Sequence, residues 1–152
     1  MVIHELSPDE CFDVLARATY GRLACSRADQ PYVVPFFFYL DRLSDSLYSF
    51  STVGQKIDWM RDNPKVCVEV DEAFDKNHWT TVVAFGRYHE ITSSRQHEPE
   101  RRRASELFQH REMWWLPGLG KRTPGEEHVT AVVYRIVIDK VTGRRAGGRR
   151  PA

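Results

Sequence analysis

A mainly β fold, an antiparallel barrel with helices on its periphery, is what this chain of 152 residues predicts. Three observations carry that reading. Segments with two-residue alternation outnumber those with helical period, turn residues separate them at short intervals, and a glycine interrupts the longest strand. Ser7-Pro8-Asp9-Glu10 opens a helix, with Ser7 as N-cap, Pro8 where no donor is needed, and Glu10 able to reach back. Cys11, Val14, Leu15 and Ala18 then share one face, and the helix is expected to close near Tyr20-Gly21. Residues 22–26 and 32–40 flank a turn at Ala28-Asp29-Gln30 and read as a hairpin. A second turn at residues 41–45 should bring the strand 47–51 back antiparallel, completing a three-stranded meander. In the run Phe36, Phe37, Phe38 and Tyr39, neighbours alternate across the sheet, so two rings should point inward and two outward toward some covering surface.

The second half continues the alternation. A helix over 54–62 is stopped by Asn63-Pro64, Val66, Val68 and Val70 mark a fourth strand, and 73–78 is a loop. The stretch 79–91 is long for one strand, and Gly86 in its middle predicts a bulge where a small barrel turns a corner. Residues 98–113 read as a helix with Ala104, Leu107 and Phe108 inward. The Pro- and Gly-punctuated loop that follows carries Trp114 and Trp115, either packed on the barrel or acting as a lid, before a last strand over 128–140. From Gly143 the segment GRRAGGRRPA has four arginines and no acid, so the expected organisation is one domain, 1–142, with a flexible basic tail, 143–152.

Composition narrows the function classes. With 41% hydrophobic residues and a formal charge of +1, the chain can bury a core without metals or disulfides. Spread among acids, its basic residues argue against nucleic acid as a partner. No apolar run approaches the roughly 20 residues that span a bilayer, and MVIHELSPDE has neither a basic n-region nor an h-region, so a cytoplasmic protein without membrane partners is expected. Cys11, Cys25 and Cys67 read as small buried hydrophobes with free thiols. Six histidines show no HExxH and no CxxC accompanies them, so no metal site is expected, and the absence of GxSxG removes support for hydrolysis.

The segment YSFSTVGQKIDWMRDNPK, from Tyr48, runs a strand into an amphipathic helix through hydroxyls, a glycine and a lysine. That order suits an anion. The Ser51 and Thr52 hydroxyls, the first N–H groups of the helix and the Lys56 ammonium would converge where the helix dipole favours negative charge, with Thr52 also offering a cap. Arg61, farther along, would face solvent or Asp58.

Set in order with GRLACS (21–26), PYVVPFFFYL (31–40), NPKVCVEVDE (63–72) and WTTVVAFGRYHEI (79–91), this segment resembles the flavin-binding split-barrel superfamily that contains pyridoxamine 5'-phosphate oxidase. Within it the chain is most similar to small flavoproteins related to the nitroimidazole reductases, over about residues 6–137. The resemblance implies an antiparallel split barrel, a homodimer, and FMN in each of two interface clefts. By position it assigns the FMN phosphate to Ser51, Thr52, Gln55 and Lys56, and the isoalloxazine to Val34, Pro35 and Phe36, with Trp79 approaching the cofactor from the same chain or from the partner's. His78, beside Trp79, becomes the candidate for positioning or protonating a substrate. The oxidase proper ends on a substrate site with an arginine-leucine strand, whereas this chain ends RIVIDKVTGRRAGGRRPA, which speaks against vitamin oxidation. What remains implied is an FMN-dependent oxidoreductase in which NAD(P)H reduces the flavin and the flavin reduces a small aromatic or nitro compound. The alternative is a non-enzymatic flavin- or haem-binding protein, since some relatives use haem or a deazaflavin; for haem, His89 is the strand histidine that would serve as axial ligand.

Overall fold

The computed structural model of the chain describes residues 1–110 and 131–147. A short strand, β1 (Ile3–Glu5), leads into α1 (Pro8–Arg17). This helix begins as its sequence demands: the Glu10 amide donates to the Ser7 hydroxyl at 3.3 Å and the Ser7 amide donates to the Glu10 carboxylate at 3.0 Å. Such a reciprocal cap contributes about 0.5–2 kcal/mol. Cys11, Val14 and Leu15 are fully buried on its inner face, and the helix closes at Arg17, earlier than expected, where Ala18 turns extended.

The strands that follow are β2 (Tyr20–Arg27), β3 (Gln30–Phe37), β4 (Tyr39–Asp41), β5 (Ser46–Thr52), β6 (Lys65–Asp75), β7 (His78–Ile91) and β8 (Ala131–Ala146), with α2 (Gln55–Asp62) and α3 (Glu98–Gln109) between them. All pairings are antiparallel, in the order β3-β2-β6-β7-β8-β5-β4, with β1 added to the far end of β8. The β2–β3 turn is two residues long, Ala28 and Asp29, both at positive φ as the tightest hairpin turns require, and Gln30 already belongs to the strand.

The order of strands explains the shape. β3 and β4 lie at opposite ends of the sheet, yet only Phe38 separates them in the chain, so the sheet must curl until its ends meet. No ladder joins them, and the barrel is split along that seam. Across it the Ser49 hydroxyl donates to the Phe37 carbonyl at 2.5 Å. Residues 32–40 are therefore not one strand, and the expected meander does not form: β3 pairs with β2, and β4 with β5. The corner at Phe38 also breaks the alternation. Phe36, Phe38 and Tyr39 are 2%, 1% and 6% exposed, where two inward and two outward rings were expected. Tyr39 is turned against Phe108 of α3, ring centroids 5.5 Å apart, and Phe36 lies 5.2 Å from Phe38.

Two apolar layers result. Inside the barrel, Leu23, Val68, Val82, Ala84, Tyr134 and Ile136 meet the buried faces of α1 and α2. Outside it, Tyr48, Ile91 and Ala104 form a smaller core between the sheet and α3. Gly86 does what was expected of it: the β7–β8 register shifts there, and a Cβ at this position would collide with the Val137 carbonyl.

The tail boundary requires correction. β8 runs on to Ala146, so Gly143 to Ala146 are paired strand, bonded to both β7 and β1. Gly143 lets α1 approach, since a Cβ there would lie 2.8 Å from both Cys11 Sγ and a Leu6 methyl. Arg145, 19% exposed, pairs with Glu10 at 3.3 Å, and Arg144 faces Glu5 at 3.6 Å. Residues 148–152 and the Trp114-Trp115 loop lie outside the described residues.

Candidate functional site

The end of β5 delivers the chain into α2 through Val53 and Gly54. Gly54, not Thr52, is the N-cap, and no side chain caps the helix. The Ser51 hydroxyl donates to the Thr52 carbonyl at 3.1 Å. The opening N–H groups of α2 thus keep their donors free of side-chain caps. A Cβ placed on Gly54 would meet nothing within 4 Å among the described residues, so they leave the space beside Gly54 open.

Lys56 lies in the first turn of α2, half-buried, with no carboxylate and no hydrogen-bond partner among the described residues. Burial pushes its ammonium below the ordinary lysine value, against a smaller opposing influence of the nearby Cys25. Arg61, farther along the same helix, is the contrast: it forms a two-pronged pair with Glu90 at 2.6 and 3.2 Å and stands 3.9 Å from Asp58. Among the described residues, one cation is paired within the fold and the other is not.

The wall beside Lys56 comes from the β2–β3 hairpin. Cys25 pairs across the strands with Tyr32, and Leu23 with Val34, so all four share the inner face. Tyr32 packs on Trp59 of α2, ring centroids 5.4 Å apart, while Arg27 lies 5.2 Å over the Trp59 ring. Asn63 ties the helix end to Ser26, donating to its carbonyl and hydroxyl at 3.2 Å. Cys25, Tyr32 and Trp59 were not among the expected site residues. A two-residue turn at Ala28-Asp29 would have revealed the Cys25–Tyr32 pairing by counting alone.

Of the expected residues, Ser51, Thr52, Gln55 and Lys56 cluster at the helix start, and Val34 lies on the same inner face two residues from Tyr32. Pro35 is exposed on the opposite face of the edge strand β3, and Phe36 is committed to the core. Trp79 and His78 are elsewhere. Ile91 pairs with Val133, which also pairs with Phe50, so that end of β7 adjoins the cradle. Trp79 pairs with Ala146 at the other end, twelve residues and about 40 Å along the strand. His78 is held there by Asp75, its Nδ1 2.9 Å from both carboxylate oxygens, while the Asn77 amide and His78 keep that carboxyl below its ordinary value. His89 is not directed into the barrel, as a haem ligand would be; it faces Glu100 of α3.

An antiparallel split barrel carrying an uncapped, cationic helix start at the end of its fifth strand defines the class of protein. The chain belongs to the pyridoxamine 5'-phosphate oxidase family, whose profile it matches over residues 7–145. It is 38% identical over 148 residues to an uncharacterised protein of Rhizobium meliloti (strain 1021), covering 96% of this chain and 97% of that one. Among solved structures, a FAD-binding protein of Mesorhizobium loti matches with a TM-score of 0.77 and 37% identity, over 97% of this chain and 99% of its own. A candidate 5-nitroimidazole antibiotic resistance protein of Bacteroides thetaiotaomicron matches with a TM-score of 0.65 and 17% identity, over 97% and 93% of the two chains; that likeness concerns the fold. Among the described residues no helix is long and apolar enough to cross a membrane.

Proposed function

We propose that this chain is a flavin-dependent oxidoreductase that holds FMN by its phosphate at the start of α2, accepts electrons from NAD(P)H and reduces a small aromatic or nitro compound. The observation that carries the reading is Lys56, a half-buried ammonium without a counter-ion among the described residues, beside an uncapped helix start. A phosphate supplies what both lack: negative charge for the ammonium and acceptors for the N–H groups. The open space at Gly54 and the half-buried Ser51 and Thr52 fit the same group. FMN and FAD share this phosphate, so the FAD-binding relative supports the cradle without selecting between them.

Bound flavin supplies hydride and electron transfer, and the protein supplies binding, orientation and exclusion of water. Lys56 and the α2 amides anchor the phosphate, and Val34 with the Tyr32 side of the hairpin offers apolar wall. Trp79 stands at the far end of β7 from the start of α2, so in this reading it meets the cofactor only in a homodimer in which a second copy contributes it. Titration of flavin-free protein with FMN and with FAD tests the proposal. Saturable binding of either, weakened in Lys56→Ala, is expected; no binding of either would overturn it.

A further inference from the structure

We infer that His89, His97 and Glu100 form a site for a divalent transition-metal ion of the zinc class, on the outer face of the barrel where α3 begins. His89 comes from β7, His97 from the single 3-10 turn Arg95–His97 that precedes α3, and Glu100 from the first turn of that helix. One ligand atom from each lies within 4.8 Å of the others. His89 Nε2 and Glu100 Oε2 are 3.3 Å apart; both atoms are buried, although their side chains are 41% and 24% exposed, and neither has a hydrogen-bond partner among the described residues. Two ligands bonded at roughly 2.0–2.1 Å to a tetrahedral ion stand about 3.3–3.4 Å apart. The pair therefore has the spacing of one edge of a zinc site and the wrong alignment for a hydrogen bond. Both atoms are left with ion-pair contacts but no aligned hydrogen bond, a shortfall that a metal ligated by both would make good.

The surroundings supply an outer shell. The Thr92 amide donates to His97 Nδ1 at 3.0 Å, which leaves Nε2 as the ligand atom, and the Thr92 hydroxyl lies 2.9 Å from the same Nδ1. A metal at Nε2 displaces the proton there to Nδ1, where the Thr92 hydroxyl oxygen can accept it at the expense of the Thr92 amide's own donation, so ligation by His97 costs one hydrogen bond. Two imidazoles and one carboxylate select zinc-like ions over magnesium or calcium, and three protein ligands leave a fourth position for water. Arg135 opposes the ion: its Nε is 3.3 Å from the same Glu100 oxygen, also without a hydrogen bond, while its Nη1 donates to Ser46. The site is accordingly weaker than one without a neighbouring cation. Arg101 is engaged elsewhere, with the carbonyls of Thr92 and Ser94.

The inference is independent of the flavin reading, because this cluster lies on the α3 side of the sheet and the cradle lies at α2. Its test is titration of the untagged full chain with zinc against a chromophoric chelator, with Co2+ absorption and thermal melting as further readouts. The expected result is one ion per chain, tetrahedral Co2+ bands and a raised melting temperature. His89→Ala and the near-isosteric Glu100→Gln should each lower affinity at least about tenfold, while Arg135→Gln raises it. Binding should weaken on acidification, since ligating imidazole must be neutral. The absence of saturable binding to the wild-type chain, or binding unchanged in both His89→Ala and Glu100→Gln, would overturn the assignment.

Discussion

Lys56 and Arg61 occupy the same short helix, and the difference between them is a partner. Arg61 meets Glu90, so removing it from a flavin titration should change little; Lys56 meets no acid among the described residues. Hydrogen bonds to charged groups contribute about 1.5–3 kcal/mol, so Lys56→Ala should weaken FMN binding roughly 10- to 150-fold with the fold intact. An unchanged dissociation constant would remove Lys56 from the site. The depressed ammonium also predicts a pH dependence. Its folded value lies below the ordinary 10.5, so between the two the unfolded chain binds more protons, and stability of the flavin-free protein rises with pH across that window. Bound phosphate restores the charged form and should remove the rise. Melting curves of wild type and Lys56→Met, from neutral pH to about 10.5, isolate the effect. Parallel curves would mean that the lysine is not desolvated in solution.

At the scale of elements, the C-terminal strand is the most instructive. Read alone, GRRAGGRRPA has no large apolar residue to dock it, and its arginines suggest a solvated tail. In the fold, Gly143 to Ala146 complete β8, and Arg145 finds Glu10 of α1. Truncation after Thr142 should therefore lower stability by at least about 2 kcal/mol, from several ladder hydrogen bonds of about 0.5–1.5 kcal/mol each. Denaturant unfolding of the truncated chain measures this, and an unaltered midpoint would mean that the strand end frays freely. Gly143→Ala tests the same contact more finely: a methyl set against Cys11 and Leu6 overpacks the α1–β8 junction and should cost about 1–3 kcal/mol.

For the whole molecule, Trp79 and the start of α2 lie at opposite ends of the sheet, so a cofactor that touched both would need two chains. If two chains share each cofactor, FMN binds the dimer and not the monomer, and added FMN must strengthen association. Sedimentation across a range of protein concentrations, with and without FMN, reads both. A monomer that holds flavin at full stoichiometry would sink the shared site. Phe36, Phe38 and Tyr39 need no covering surface from a second chain, because all three are buried within one.

Local patterns were enough for the elements whose cause is local. The capping box at Ser7 and Glu10, the stop at Asn63-Pro64, the bulge at Gly86 and the helix after the Ser51 to Lys56 segment all follow from residues a few positions apart, where sterics and short-range hydrogen bonds act. The strand-to-helix junction there was legible for the same reason, although its N-cap falls on Gly54 and not Thr52. The corner at Phe38, the burial of Tyr39, the fate of Arg145 and the meeting of His89 with Glu100 depend on residues far apart in the chain. Alternation says which side chains share a face but not which strand will be the neighbour, and the partner of a charge is set by that neighbour. Closure of the sheet, with β3 and β4 brought to one seam from opposite ends, is the step that made those choices.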